Sequence, residues 1–137
     1  MAGVTLIELM IVVIVIAVLG TIALPSYRQY AVRSQRTEAK IALLQLSTNQ
    51  ERFYLHNRRY GGTADLAALG FPTGKSDRGA YTLTIPVASS TTYTATATAT
   101  AAPRGAVNMA DDAECTSFSI DAHGVRTAAP DPSRRCW

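Results

Sequence analysis

The sequence predicts an α+β fold in which a long N-terminal α-helix packs on a small antiparallel β-sheet of about four strands. An apolar run starts the chain, and helical periodicity continues from it to about residue 57. Beyond residue 79, apolar and hydroxyl side chains alternate with a period of two, as expected of strands with one buried face. A chain of 137 residues has room for one small domain.

The first element is an apolar segment from Val4 to Leu24, about the length that spans a bilayer as a helix. A cleaved signal peptide fits poorly, because the run is long, lacks a small-x-small site at its end and continues into helical sequence. A passive membrane anchor fits poorly too, since Glu8 lies within the run and an ionisable group there is costly. Cleavage between Gly3 and Val4 would create an α-amino group one helical turn from that carboxylate, a pairing that would favour one axial register between neighbouring copies.

The second half of the helix, from Ser26 to about Asn57, is predicted to be amphipathic and to pack on a globular head. Its apolar positions recur at spacings of three, four and their sums: Ala39, Ala42, Leu43, Leu46 and Phe53. Pro25 lacks an amide N–H, so with Gly20 nearby the segment between them is a candidate kink that could even unwind. A bend without a functional role explains the same residues equally well.

The head begins with a connecting region, Arg58 to Gly79, rich in Gly, Pro and Thr, with a short helical turn possible at Thr63–Leu69. Four strands are then expected: one with Tyr81, Leu83 and Ile85 on one face, one alternating from Tyr93 to Thr100, one with Phe118 and Ile120, and a short one over Val125 to Thr127 after a turn at Ala122-His123-Gly124. The Ala-Thr tract could be low-complexity sequence, but its strict period of two favours a strand whose small residues face the helix.

The run from Gly3 to Val13 resembles the prepilin motif of type IV pilins. The resemblance implies that prepilin peptidase cuts after Gly3, that Val4 becomes the N-methylated first residue, and that Glu8 is the assembly glutamate. Family members more often carry Phe at the position of Val4. Their leaders usually carry basic residues that residues 1–3 lack, so we expect the natural leader to be longer.

The head resembles pilins as well. Two cysteines, Cys115 and Cys136, would form a disulfide if the head is exported, and the resemblance implies the C-terminal disulfide-bounded loop of this family. Closing that loop stabilises by roughly 3 kcal/mol in the chain-entropy model. The C-terminal Cys-Trp, with Gln50–Tyr54 and Tyr81–Leu83, looks like a minor-pilin family that includes a receptor for DNA-uptake sequences. Type II secretion pseudopilins share the N-terminus, but their major subunit generally lacks the cysteine pair.

The resemblance also implies an organisation and a location. We expect a leader remnant (1–3), a transmembrane and filament-core helix (4–25) and a head (26–137), the last comprising a helix half (26–57), a connecting loop (58–79) and a sheet with its disulfide-bounded loop (80–137). The subunit would sit in the bacterial inner membrane as a single pass and then join an extracellular pilus. Its partners would be prepilin peptidase, the pilus assembly platform and other pilins, in adhesion, twitching motility or filament priming.

The charge pattern leaves DNA binding open. A net charge of +3 with scattered Lys and Arg does not by itself indicate a nucleic-acid partner. If the head binds DNA, the candidate residues lie in loops beside the sheet: Lys75, Arg78, Arg104, Arg126, Arg134 and Arg135. Ordinary solvated charges are the simpler interpretation.

No catalytic or metal-binding constellation is evident in the sequence. His56 and His123 are isolated, and surface or turn roles suit them better than ligation. The acidic cluster Asp111, Asp112 and Glu114 matches no standard calcium loop, so a solvated acidic turn is the preferred interpretation. We therefore expect no metal, no cofactor and no enzymatic activity.

Overall fold

The computed structural model describes residues 5–101, 108–131 and 135–137, with only the backbone for residues 23–26 and 28. The chain divides into two compact units, Met1–Ala31 and Val32–Trp137, and the helix α1 (Leu6–Asn57) contributes residues to both. Four strands follow: β1 (Tyr81–Ala88), β2 (Tyr93–Ala99), β3 (Ser117–Asp121) and β4 (Arg126–Ala129). The predicted α+β class is confirmed.

In the first unit, α1 carries its apolar side chains on the surface. The helix starts after Thr5, whose backbone carbonyl accepts from the Leu9 N–H at 3.2 Å and whose Oγ1 accepts from the Glu8 N–H at 3.4 Å. The backbone is helical through Gly20 and Pro25 without interruption, and the predicted bend there stays a prediction. Among the described residues, no helical segment combines the length and the apolar character that a bilayer crossing requires.

In the second unit, α1 and the sheet bury one shared core. The helix buries the face predicted from its periodicity, with Ala39, Leu43 and Leu46 fully enclosed, while Phe53 packs half-buried at its edge. Burying each leucine fully contributes roughly 1.5–3 kcal/mol. The sheet meets this face with its predicted inward residues: Tyr81, Leu83, Ile85, Tyr93, Ala95, Ala97, Phe118 and Ile120. The Ala-Thr tract is therefore a strand, with Ala95 and Ala97 buried and Ala99 partly buried.

The sheet is antiparallel throughout, with its strands in sequence order from β1 to β4. Its register pairs Leu83 with Ala97 and Ala97 with Phe118, so large and small side chains lie beside one another across the strands. The β1–β2 register shifts between Thr84 and Val87. Pro86 lies inside that irregularity on an edge strand, where its missing N–H removes no bond from an interior ladder.

A buried glutamine fixes the start of the connecting region to the helix. Gln50, fully buried on α1, donates from Nε2 to the Gly61 carbonyl at 2.7 Å and accepts the Gly61 N–H at 2.8 Å. A Cβ at position 61 would lie 3.1 Å from Asp65 and from Leu69, so glycine suits the close approach. The predicted helical turn begins here as a 3-10 helix over Thr63–Asp65.

The C-terminal segment is held to the sheet by a disulfide and an aromatic contact. Cys115 and Cys136 are bonded and fully buried, which confirms the predicted disulfide. The Trp137 ring meets Phe118 edge-on at 5.9 Å, and its indole N–H donates to the Thr127 carbonyl. These contacts bring the chain end beside β3 and β4.

Candidate functional site

The first candidate surface is the apolar face of α1 in the first unit. Its large side chains from Leu6 to Ile22 are each at least half exposed, with Leu6 at 78% and Ile22 at 70%. Contiguous apolar exposure on this scale marks an interaction surface, because water disfavours it. The chain therefore presents a helix suited to an apolar environment or to other helices.

Glu8 is the one acidic residue on that surface. It lies in the first turn of α1, where a negative charge interacts favourably with the helix dipole. Its side chain is exposed, and no described residue forms an ion pair with it. Gly3 and Val4, the expected cleavage pair, lie outside the described residues, so the amine partner stays a prediction.

The candidate DNA-binding residues do not share one edge of the sheet. The backbone of Lys75 forms an isolated antiparallel β-bridge with Thr82 in β1. Nearby, Arg78 donates its backbone N–H to Glu38 Oε1 at 2.9 Å. Arg126 lies in β4, at the opposite edge, with its guanidinium 5.5 Å from the Trp137 ring centre. Arg104 and Arg134 lie outside the described residues, and Arg135 lies at a separate cleft.

That cleft lies in the second unit and is lined mainly by cations. Three of them follow one another on α1 at positions i, i+3 and i+7, which place their side chains on one helical face. The C-terminal segment supplies the rest of the wall. The basic cleft, as we name it, has a volume of about 360 Å³ and is lined by Arg33, Arg36, Lys40, Glu114 and Arg135.

A buried ion pair joins one of the residues that line the basic cleft, Arg36, to Asp112. Arg36 donates from Nε and Nη2 to the two carboxylate oxygens of Asp112, both at 2.7 Å, and from Nη2 to Glu114 at 3.2 Å. The Asp112 side chain is only 4% exposed. The expected solvated acidic turn is therefore wrong for Asp112, although Asp111 beside it is exposed. The two partners are 76 residues apart, so sequence spacing gave no signal of their contact.

The ion pair sets the protonation of both groups. Burial alone would raise the pKa of the Asp112 carboxyl, but hydrogen bonds from Arg36 and from the backbone of Glu114 and Cys115 bring it below its usual value. The same bond to Asp112 raises the pKa of Arg36. Burial, and to a smaller extent the charge of Arg36, lower the pKa of Lys40.

Other chemistry is limited in the part of the chain that the structure describes. It contains no cluster of three or more His, Cys, Asp or Glu side chains that could hold a metal ion. His56 is exposed, with Nδ1 2.9 Å from the Arg52 carbonyl of its own helix, and His123 is exposed in the turn before β4. Tyr81 is fully buried with its hydroxyl unpaired, and burial is the main cause that raises its pKa.

The comparisons with known proteins agree on one family. The sequence model described as "Type IV minor pilin ComP, DNA uptake sequence receptor" matches residues 25–119. The type IV major pilin protein PilA of Myxococcus xanthus is 40% identical over 79 residues, which are 58% of this chain and 35% of that protein. A fimbrial protein of Neisseria meningitidis is 33% identical over 85 residues, 62% of this chain and 49% of that protein. The chain thus spans about a third to a half of the length of these relatives.

A solved structure supports the fold independently. The crystal structure of the non-core minor pilin PilV from Neisseria meningitidis superposes with a TM-score of 0.50 at 18% identity. The match covers 81% of this chain and 94% of that one. At this identity the likeness shows the shared fold.

Proposed function

Because this chain belongs to the type IV minor pilin family described for ComP, we propose that it is made as an inner-membrane subunit and works after assembly into a pilus filament. A structural role as a pilin follows from the family. The finer steps of processing, membrane insertion and assembly are the proposal.

The observation that carries the proposal is the exposed apolar helix of the first unit. In water its side chains would associate indiscriminately, whereas lipid before assembly and neighbouring helices afterwards both cover them. Glu8 adds specificity, because a carboxylate on this surface favours the one packing register that offers it a cation. In this proposal the cation is the N-methylated amine of Val4, freed by cleavage after Gly3.

Mass spectrometry of surface filaments sheared from the source cells tests the proposal. The subunit should be recovered from the filaments with a mature chain that begins at Val4 and carries one added methyl group. The abundance of its peptides relative to other pilins gives its stoichiometry and separates a major from a minor subunit. An exported product that begins downstream of Pro25 would contradict the proposal, because the apolar helix would then be absent from the filament.

The alternative is a type II secretion pseudopilin, a protein with a similar N-terminal helix. It shares the N-terminal segment, but the buried disulfide between Cys115 and Cys136 favours a pilin. Thiol labelling of the denatured full-length protein distinguishes the two. A pilin should show no reactive thiol before reduction and two afterwards, whereas two thiols before reduction would favour the pseudopilin.

A second candidate function is DNA capture by the head, for which the family description gives a specific reason. Lys75 and Arg78 are exposed cations close together in the segment before β1 and are the first pair to test. Gel-shift assays with the full chain in non-ionic detergent should show binding that weakens steeply between 50 and 200 mM salt, since each neutralised phosphate releases counterions (about 10³-fold or more for six contacts). Absence of a shift at the lower salt would remove this function. The control is Arg52→Ala, which removes an exposed cation on α1. Loss of the shift in Lys75→Ala/Arg78→Ala but not in this control would assign the DNA contact to Lys75 and Arg78.

A further inference from the structure

The basic cleft holds more positive than negative charge. Its wall carries four cations, Arg33, Arg36, Lys40 and Arg135. Two carboxylates offset them: Asp112, which is paired with Arg36, and Glu114, which also lines the cleft. Among the described residues that line the cleft, together with Asp112, four positive and two negative charges leave an excess of two. The Asp131 carboxylate, which accepts the Arg135 backbone N–H at 3.0 Å, lies outside this lining.

Three of the four cations have no anionic partner among the described residues. The ion pairs of the described chain involve only Arg36 and Arg59, so Arg33, Lys40 and Arg135 form none within it. Lys40 is partly buried, and the lowered pKa of its ammonium reflects burial and the nearby charge of Arg36. An anion in the cleft would offset the charge repulsion between Lys40 and Arg36.

Arg36 is held in place before any ligand arrives. Its bidentate bond to buried Asp112 uses Nε and one donor of Nη2, and Glu114 takes a further Nη2 bond. Its Nη1 donates to no acceptor among the described residues, and the side chain lines the cleft. A guanidinium fixed in this way loses little conformational freedom on binding an oxyanion.

We propose that the basic cleft binds a phosphate group with two or more negative charges, such as a phosphate monoester or pyrophosphate, independently of filament assembly and of any DNA contact. The excess of two positive charges matches one such group. Guanidinium forks suit tetrahedral oxyanions, and an ammonium adds a point charge. A cleft of about 360 Å³ is of the size that holds a small ligand or a single headgroup.

Two sources can supply this group, a soluble phosphorylated molecule or the headgroup of an anionic lipid. Isothermal titration calorimetry on the full chain in non-ionic detergent separates them. One arm uses pyrophosphate, and the other uses dihexanoyl phosphatidic acid with dihexanoyl phosphatidylcholine as its neutral counterpart. Saturable binding of pyrophosphate supports the site, and tighter binding of the phosphatidic acid than of pyrophosphate assigns it to a lipid headgroup.

Matched variants locate the binding. Arg33→Ala/Lys40→Ala should weaken binding at least tenfold, whereas Arg52→Ala/Arg58→Ala, which removes the same charge elsewhere, should change it less than twofold. Glu114→Gln removes the opposing carboxylate and should tighten binding several-fold. Each of these residues is exposed or partly exposed, so we expect the variants to fold.

Three results would overturn the assignment. The first is no detectable pyrophosphate or phosphatidic acid binding at 50 mM ionic strength. The second is equal weakening by the cleft variant and by its charge-matched control, which would indicate a diffuse charge effect. The third is binding of a DNA duplex, but of neither small ligand, that is lost in Arg33→Ala/Lys40→Ala.

Discussion

At the residue scale, the ion pair of Arg36 and Asp112 shows what sequence reasoning misses. Asp112 looked like a solvated turn residue because its neighbours are polar and acidic. It is buried because the segment from Met109 to Cys115 is held against α1, with the disulfide at its end. Contacts over 76 residues leave no local periodicity in the sequence, so only the folded chain reveals them.

The first prediction concerns acid stability. The pKa of Asp112 is lower in the folded chain than the ordinary value of 3.8, so its ionised form stabilises the fold. That contribution is complete above the unfolded pKa and is lost as the pH falls through the folded value. Asp112→Asn should cost about 3 kcal/mol at pH 7, because buried Arg36 loses its bidentate partner and keeps only the exposed carboxylate of Glu114. It should cost less at pH 2, which lies below the unfolded value of 3.8.

Denaturant titrations of the full chain in detergent, followed by Trp137 fluorescence, measure this difference. Asp111→Asn is the matched control, since that neighbouring carboxylate is exposed and has no ion pair among the described residues. It should change the free energy of unfolding by no more than about 0.5 kcal/mol at either pH. Equal effects of the two substitutions at pH 7 would show that the buried pair does not stabilise the fold.

The second prediction concerns Gln50. Replacing it by alanine leaves the buried N–H and carbonyl of Gly61 without partners, so the free energy of unfolding should fall by about 2 kcal/mol. Gln45→Ala, on an exposed position of the same helix, should change it by about 0.5 kcal/mol at most. Thermal unfolding followed by circular dichroism compares the two variants. A Gln50→Ala variant as stable as the parent chain would show that the two bonds to Gly61 do not stabilise the fold.

At the scale of secondary-structure elements, the periodic segments and two of the turns could be predicted, but the path of the connecting region could not. The alternation in the Ala-Thr tract predicted its buried face, because a strand between two neighbours has a fixed period of two. The helical periodicity predicted Ala39, Leu43 and Leu46 as core for the same kind of reason. The segment between Arg58 and Gly79 has no repeating pattern, and side-chain to backbone bonds such as those of Gln50 set its path.

The third prediction concerns the disulfide, which holds the C-terminal segment against the rest of the second unit. It closes a loop with a sequence separation of 21, so Cys115→Ala/Cys136→Ala should lower the free energy of unfolding by roughly 3 kcal/mol. Chemical denaturation of the oxidised protein, the reduced protein and the double variant measures it. Reduction alone should reproduce most of the loss. An unchanged denaturation midpoint after complete reduction would show that the contacts of Trp137 hold the C-terminal segment without the disulfide.

At the scale of the whole molecule, family and fold class could be predicted, but the basic cleft could not. The prepilin-like motif is a contiguous run, so a single sequence carries it in full. The cleft combines Arg33, Arg36 and Lys40 with residues about 80 to 100 positions later, among them Glu114 and Arg135. Sequence reasoning grouped Arg135 with other loop cations because their charge was visible and their positions in space were not.

The last prediction concerns assembly and the lone acid of the apolar helix. If Glu8 pairs with a neighbouring subunit's amine, Glu8→Ala leaves that amine unpaired in an apolar setting and removes the preference for one register. Each 1.4 kcal/mol lost changes an equilibrium tenfold, so incorporation should drop about tenfold or more while the amount in the membrane fraction stays constant. Glu51→Ala is the control, because Glu51 is an exposed carboxylate on the same helix outside the apolar segment. Immunoblots of sheared filaments and membrane fractions give the two amounts. Normal incorporation of Glu8→Ala would mean that apolar packing alone sets the register, and a parallel loss from the membrane fraction would move the defect to insertion or stability.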